Sequence, residues 1–578
     1  MFDRSLATRS LASAVRRALR SAARFVVGTA ACGLIAGCAG SGGRGDAVSD
    51  SVVASTGSDL VIYGCTPAGL TAAITAKSRG RSVVLLCRDG HVGGMTTNGL
   101  GWADTGNHAA IGGMARRFYQ DVKAHYQAVG FKGIATSQSK TEGEEDAMWV
   151  FEPRVAEAIY LRWLKEADIE PVFNAKLRLE PSAIQKKNDA IISVEMLDGS
   201  RYSGRVFVDA TYEGDLMAMA GVSFTTGREA NAVYGEDYNG VQTANSKQHN
   251  FELDIDPYVK PGDPSSGLVP LIEPGPPAKD GAGDHRIQAY NFRLCMTQDP
   301  AIRAPLPKPA DYNAWTYELL GRYLDAGWRH RFRKFDPLPN LKTDVNNYGA
   351  ISTDFIGGNY DYPTAGYERR RQLFDAHKSY QAGLLWFMQN DPRVPADVRA
   401  SMADWGLCKD EFVDNDHWPR EMYVREARRM VSDFVMTERH LEGQLPTPRS
   451  IGLGSYTMDS HNVQRYVNAD GFARNEGDVQ IHLDRTYEIS YDAIVPRASE
   501  ATNLFVPVAV SASHIAYGSI RMEPVFMILG QSAGEAAVLA IERGIRVQNV
   551  PYDILAARLR AQGQLIDPVA GKYVPGGS

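Results

Sequence analysis

An α/β fold, in which the chain leaves a parallel-stranded sheet and later re-enters it, is predicted by three segments of this 578-residue sequence. Residues 59–69, Asp-Leu-Val-Ile-Tyr-Gly-Cys-Thr-Pro-Ala-Gly, are an apolar run ending in a tight turn, and a small-residue segment of helical period begins at Ala68. Val83-Val84-Leu85-Leu86 is a second apolar run, and Pro524 opens a third segment of small residues close to the other end of the chain. Strand, phosphate turn and helix opening, in that order, make a dinucleotide-binding unit.

Each element follows from residue chemistry. Gly64 lets the backbone leave the strand sharply, and after Pro67 and Ala68, Gly69 lets the helix sit close to the sheet with its first amides facing a diphosphate. Thr66 replaces the middle glycine, so a side chain approaches the phosphates. Gly80 supplies the helix stop before the second strand. Gly93-Gly94-Met95 then brings backbone amides toward a cofactor's diphosphate or ribityl chain, and Val206–Thr211 is a strand ending in Asp209, Ala210 and Thr211. Pro524 suits a first helical turn, and Gly530 and Ala533 within Gly530–Ala537 permit close approach. No second fingerprint is present, since Gly452-Leu453-Gly454 lacks the pattern that follows. Electrons are therefore expected to come from a small-molecule substrate and to leave to an unidentified acceptor such as oxygen, a quinone or a redox protein.

Together with Ala110–Gly113, Asp209-Ala210-Thr211-Tyr212-Glu213-Gly214-Asp215, Tyr423–Arg429, Met458-Asp459-Ser460-His461 and Ser519–Pro524, these segments resemble the FAD-dependent oxidoreductase family of the two-dinucleotide-binding-domain flavoproteins. Some members of that family carry xanthan-lyase-like labels. The resemblance covers most of the chain after about residue 58. It implies bound FAD and redox chemistry, and because cofactor-like segments lie near both ends with a long middle that lacks them, the expected architecture is a Rossmann-like FAD-binding domain, discontinuous in sequence, with an inserted mixed α+β substrate or cap domain. It implies no particular substrate. One position departs from the pattern: Cys87 stands where such flavoproteins present an acid to the adenosine ribose, and Asp89 is the nearest substitute. Cys65 and Cys87 lie at neighbouring strand ends, either as a disulfide or as two small buried thiols.

The first residues follow a different logic. Six arginines, Arg4 to Arg24, precede the apolar stretch Phe25–Ile35, which is too short to span a bilayer but suits a signal-peptide core, so residues 1–37 read as a signal peptide. Ile35-Ala36-Gly37-Cys38 resembles a bacterial lipobox. Cleavage before Cys38 with diacylation of its thiol gives an exported, lipid-anchored protein of the cell envelope, periplasm or outer membrane; the alternative is an ordinary signal peptide or an unprocessed tail. Arg16-Arg17 is compatible with twin-arginine export of a folded flavoprotein. Residues 38–57 are a flexible Gly, Ser and Ala tether. Loss of residues 1–37 removes six arginines and Asp3, leaving 56 basic and 67 acidic residues and a net charge of −11, which argues against nucleic acid as a partner. The remaining 541 residues suffice for two or more domains. No later segment reads as a transmembrane helix. Cys65, Cys87, Cys295 and Cys408 show no metal-ligand spacing, so no metal is expected.

The expected domains are an N-terminal FAD-binding part at 58–227, a substrate or cap region at 228–450, and a C-terminal FAD-binding part at 451–578. Residues 171–208 alternate around Asp198-Gly199 as strands and a hairpin, 229–310 are loop-rich, and 366–389 and 421–440 read as helices.

For the proton that accompanies hydride transfer, His514 is the first candidate, with a structural hydrogen-bonding role as its alternative. Asp459 with His461 is the second, as an acid/base pair or a turn. Arg425, Arg428 and Arg429, on one face of the expected helix, and Arg521 beside the flavin helix are candidates to clamp a carboxylate or sugar hydroxyls, or to form a salt-bridged face. Glu523 suits a helix cap. Tyr360, Tyr362, Trp386, Trp405 and Trp418 offer rings for sugar stacking or for the core. A carbohydrate or polyol hydroxyl is the leading substrate class. The alternatives are a flavin reductase of an unsaturated carboxylate and a noncatalytic glycan-binding lipoprotein. No G-x-S-x-G elbow supports hydrolysis.

Overall fold

The strand β1 (Ser58–Tyr63) buries its last four residues, as a strand covered on both faces must. The computed structural model describes residues 57–133, 145–329 and 334–569. The expectations for the signal peptide, for Cys38 and for the tether through residue 56 lie outside the described residues.

From β1 the chain turns at Gly64 into α1 (Pro67–Ser78), which ends at Arg79 and at Gly80, whose φ is +74°. β2 (Val83–Leu86) returns parallel to β1, with Leu60 opposite Val83 and Tyr63 opposite Leu86. α2 (Gly113–Val129) and α3 (Pro153–Glu166) follow, and β3 (Ile184–Lys187), β4 (Ala190–Glu195) and β5 (Arg201–Asp209) extend the sheet in the order β2-β1-β5-β4-β3. The turn between β4 and β5 uses Gly199 at φ +86°, as Asp198-Gly199 predicts. Two partners share one edge of β5: its start pairs antiparallel with β4, and Phe207 and Val208 pair parallel with Leu504 and Phe505. A strand from late in the chain thus re-enters the first sheet, giving the mixed α/β class.

The late helix Glu523–Arg543 lies against α1 at close range. A Cβ on Gly530 would fall 2.1 Å from the Ala68 carbonyl oxygen, and one on Gly534 would fall 2.6 Å from that of Ala72. Thr71 Oγ1 donates to Met527 O at 2.9 Å across the same contact. By length and composition this helix could cross a membrane, contrary to expectation, but it is buried within the protein from Glu523 to Ile541.

A second, antiparallel sheet of five strands has the order Arg303–Ala304, Gly406–Cys408, Leu294–Thr297, Lys342–Val345, Phe335–Leu338. Cys295 and Cys408 form a disulfide across neighbouring strands, which no sequence spacing announced. The helix Tyr367–Asn390 covers the segment expected to be helical.

Residues 421–440 correct the helical expectation. They run mostly extended, with only Glu438–Leu441 helical, because their amides pair with distant segments: Tyr423 N with Asn291 O, Met430 N with Ala509 O and Val431 N with Ser223 O. The arginines therefore diverge rather than share a face. Arg425 meets Asp354 at 3.0 Å, Arg428 meets Asp215 at 2.7 Å and Arg429 meets Glu229 at 2.6 Å. Tertiary pairing of buried charges has overridden helix propensity.

The α1 contact yields a direct test. Gly530→Val is expected to force the two helices apart and to lower unfolding stability by about 1–3 kcal/mol or more, read as a reduced denaturation midpoint of the FAD-free protein. An unchanged midpoint would mean that the helices do not meet at this position.

Candidate functional site

The turn after β1 is built so that backbone, rather than side chains, faces the cleft. Gly64 has φ +110°, and a Cβ there would lie 2.6 Å from Ala210; a Cβ on Gly69 would lie 1.9 Å from Gly64 O. Thr66, the unexpected residue, is turned inward: its hydroxyl donates to Ala210 O at 2.7 Å and accepts from Gly69 N at 3.4 Å. It therefore caps α1 instead of crowding a phosphate, and Pro67 begins the helix with Ala68 behind it. The cleft is lined by Gly64, Cys65 and Thr66, immediately before this twelve-residue helix, so the positive end of the helix dipole lies beside it, which suits a diphosphate.

Opposite the turn, Gly93 and Gly94 have φ of +97° and +50°, and a Cβ on Gly94 would collide with the Tyr212 hydroxyl at 2.3 Å. Met95 N donates to that hydroxyl at 2.9 Å. Asp209 accepts from Thr211 N, Thr211 Oγ1 and Met217 N, so it shapes the loop beneath the cleft, and burial pushes its carboxyl up to about 6. Ala210 N donates to Tyr63 O at 2.8 Å. Gly530 and Ala533 lie in the late helix, buried, with Gly530 against α1.

Cys87 is closed on Cys65 as a disulfide with Cα atoms 5.0 Å apart, so of the two alternatives the bridge is present. Asp89 is held by Arg88 at 2.8 Å and lies 3.7 Å from Lys176.

The late helix starts at Glu523, which is buried. Tyr212 donates to Oε1 at 2.8 Å and Thr96 donates to Oε2 at 3.0 Å, and burial pushes the carboxyl up to about 8.

Next to this helix start lies a buried charged chain. A Cβ on Gly518 would be 2.6 Å from Asp459 O, so the helix His514–Ile520 packs onto the strand Met458–Ser460 and delivers Arg521 to Asp459. Arg521 donates to Asp459 Oδ2 at 2.9 Å and to the Tyr423 hydroxyl at 2.9 Å. His461, just past the strand end, lies 3.3 Å from Asp459 by Nε2 and 2.8 Å from Asp354 by Nδ1. The chain bends after Ser460, so Asp459 and His461 are brought together. Burial and Arg425 work against a proton on His461, but Asp459 and Asp354 outweigh them and raise its pKa. Burial would raise Asp459 too, yet His461 and Arg521 hold it well below the usual carboxylate range. Arg425 stacks on Tyr423 with its guanidinium carbon 4.8 Å from the ring centre. Arg425 Nε and Arg521 Nε are buried without a hydrogen-bond acceptor, while Arg425 Nη2 faces Asp354 at 3.0 Å.

His514 is placed differently. Its Nδ1 lies 2.7 Å from Glu426 and its Nε2 lies 3.0 Å from Ser460, and burial together with Arg429 and Arg228 lowers its pKa to about 3. Both its nitrogens are engaged inside the protein, as are those of His461, so the two differ in the direction of their pKa shifts and not in their engagement. Of the expected aromatic surface, Trp418 is 1% exposed and packs on Phe292 and buried Tyr362 donates to Glu213, while Tyr360, Trp386 and Trp405 are half-buried. Glu152, Asp410 and Glu411 cluster at metal-ligand spacing, but the Lys342 ammonium already sits among them at 2.7, 2.9 and 2.6 Å. Asp354 was missed from the sequence because nothing local marks it; Tyr423 was visible only as part of a quoted segment.

The family model for FAD dependent oxidoreductase matches residues 59–559. A comparison with curated proteins finds no match. Among solved structures, bacillithiol disulfide reductase Bdr from Staphylococcus aureus is 17% identical over 26% of this chain and 38% of its own, with a TM-score of 0.17. A flavin monooxygenase mutant from Stenotrophomonas maltophilia is 13% identical over 30% of this chain and 41% of its own, with a TM-score of 0.17. L-proline dehydrogenase from P. horikoshii is 15% identical over 31% of this chain and 59% of its own, with a TM-score of 0.22. The chain thus spans less than two thirds of each, and at these TM-scores the likenesses add nothing to the family match.

Glu523 gives the site a pH signature. Its folded pKa is raised, so its stabilising contribution is complete below about 4.5 and is lost as the pH rises through about 8. In the FAD-free protein, Glu523→Gln should gain on wild type by of order 1 kcal/mol per pH unit between about pH 5 and 7, read by urea unfolding. A gap independent of pH would mean that Glu523 is ionised in the folded state.

Proposed function

Since the chain belongs to the FAD dependent oxidoreductase family and is an enzyme with FAD as its cofactor, we propose that it oxidises a small polar molecule, with a carbohydrate or polyol hydroxyl favoured. FAD, when bound, supplies the two-electron acceptor that takes a hydride at N5. The phosphate turn, with Gly64, Thr66 and Gly69, and the Gly93–Met95 loop are the residues that would hold it.

The observation that carries the reading is His461 held between Asp354 and Asp459 in a buried chain that ends on Arg521 and Tyr423. In this reading the substrate hydroxyl displaces the 3.3 Å contact between His461 Nε2 and Asp459, and Nε2 then takes the hydroxyl proton in place of His514. Asp354 fixes the ring through Nδ1 and stabilises the imidazolium that results, while Arg521 holds Asp459 in place. The surrounding burial keeps water from the proton's path. Residues 228–450 form the substrate-facing part, and the protein acts exported and lipid-anchored at Cys38, passing electrons to an acceptor in the cell envelope.

A second reading, reduction of an unsaturated carboxylate, is favoured by one observation. The Nε–H groups of Arg425 and Arg521, buried without an acceptor, suit a carboxylate, and protonated His461 would then donate rather than accept.

The test is anaerobic flavin bleaching with a sugar and polyol panel, alongside reduction of alkene acids with dye donors. The oxidising reading expects bleaching by one compound, at a rate rising with pH through a pKa above the ordinary imidazole value of 6.5. His461→Asn should slow it by about 10²–10⁴-fold with flavin still bound. Turnover of alkene acids without bleaching by any hydroxyl compound would favour the second reading instead.

A further inference from the structure

The cleft beside the phosphate turn contains three carboxylates, Asp89, Glu213 and Glu421, and one guanidinium, Arg88. Arg88 is already divided between Asp89 at 2.8 Å and Glu213 at 2.7 Å. Glu213 Oε1 also accepts from the Tyr362 hydroxyl at 3.0 Å. Among the described residues, Glu421 alone of the three has no hydrogen bond or ion pair on its side chain, although it is half-buried and lines the cleft.

Partially desolvating a carboxylate with no protein donor disfavours its ionised form, and burial pushes the Glu421 carboxyl up to about 7; a donor on a ligand in the cleft would restore the carboxylate. A diphosphate cannot, because it is itself an anion. The hydroxyl groups of a sugar or polyol can, and O–H groups donating to a carboxylate make strong, short bonds. The position that would ordinarily offer an acid to such hydroxyls is Cys87, whose sulfur is closed on Cys65 within the phosphate turn itself.

We propose that Glu421 accepts hydrogen bonds from hydroxyl groups of the bound FAD, taking over from a segment far away in sequence the task that Cys87 cannot perform. The disulfide fixes the turn, and Glu421 closes the cleft from the opposite side. FAD carries such hydroxyls on its adenosine ribose and on its ribityl chain. The inference rests on FAD as the cofactor and is independent of the substrate reading above.

The experiment titrates FAD-free protein with FAD, following quenching of flavin fluorescence. It compares wild type, Glu421→Ala, Glu421→Gln and Asp89→Asn, with FAD and with two analogues lacking a hydroxyl, one on the adenosine ribose and one on the ribityl chain. Glu421→Ala is expected to raise the Kd tenfold or more, and Glu421→Gln less. One analogue should bind wild type at least fivefold more weakly than FAD yet bind Glu421→Ala as well as FAD does, and that analogue identifies which sugar Glu421 meets. Wild-type affinity in both Glu421 variants, a tenfold loss confined to Asp89→Asn, or analogue penalties equal in wild type and Glu421→Ala would each overturn the proposal.

Discussion

Two helices separated by more than four hundred residues pack so closely that their contact admits only small side chains. A Cβ on Gly530 or Gly534 would strike carbonyl oxygens of α1, and the phosphate turn opens from the start of that same α1. Because Glu523–Arg543 is seated there, its first turn carries Glu523 to Tyr212 and Thr96 above the cleft. The intervening residues must therefore leave and return to one sheet, which Leu504–Phe505 does beside β5. The discontinuous fold and the location of the site follow from this one contact.

The site built on it is dense in buried charge. Arg521, Asp459, His461, Asp354 and Arg425 alternate in sign, and removing Asp459 or Asp354 would leave Arg521 or Arg425 without its carboxylate in a poorly solvated place. The same alternation moves protonation equilibria apart: Asp459 is lowered and His461 is raised. Both shifts favour the ionised forms, so the row rests as alternating charges that hold one another in place.

What the sequence disclosed depended on how local the cause was. The turn at Gly64–Gly69, the Asp198-Gly199 hairpin and the Pro524 helix were legible because each is set by a few neighbouring residues with particular backbone needs. Residues 421–440 were misread as helix because their conformation is fixed by Asn291, Ala509 and Ser223, whose amide and carbonyl partners lie far along the chain. His461 and Asp459 were visible as a pair, but Asp354, which completes the arrangement, arrives from another segment without a motif. Thr66 weakened the fingerprint on paper, yet its hydroxyl is spent on Ala210 O, a bond that no spacing rule anticipates.

The account stands on a cleft that holds FAD despite Thr66 and Cys87. The measurement that tests this most directly is the absorption spectrum and flavin content of the protein purified without residues 1–37. Flavin bands at close to one FAD per chain, present as purified or after reconstitution, are the predicted result. A chain that remains folded but takes up no FAD would contradict it.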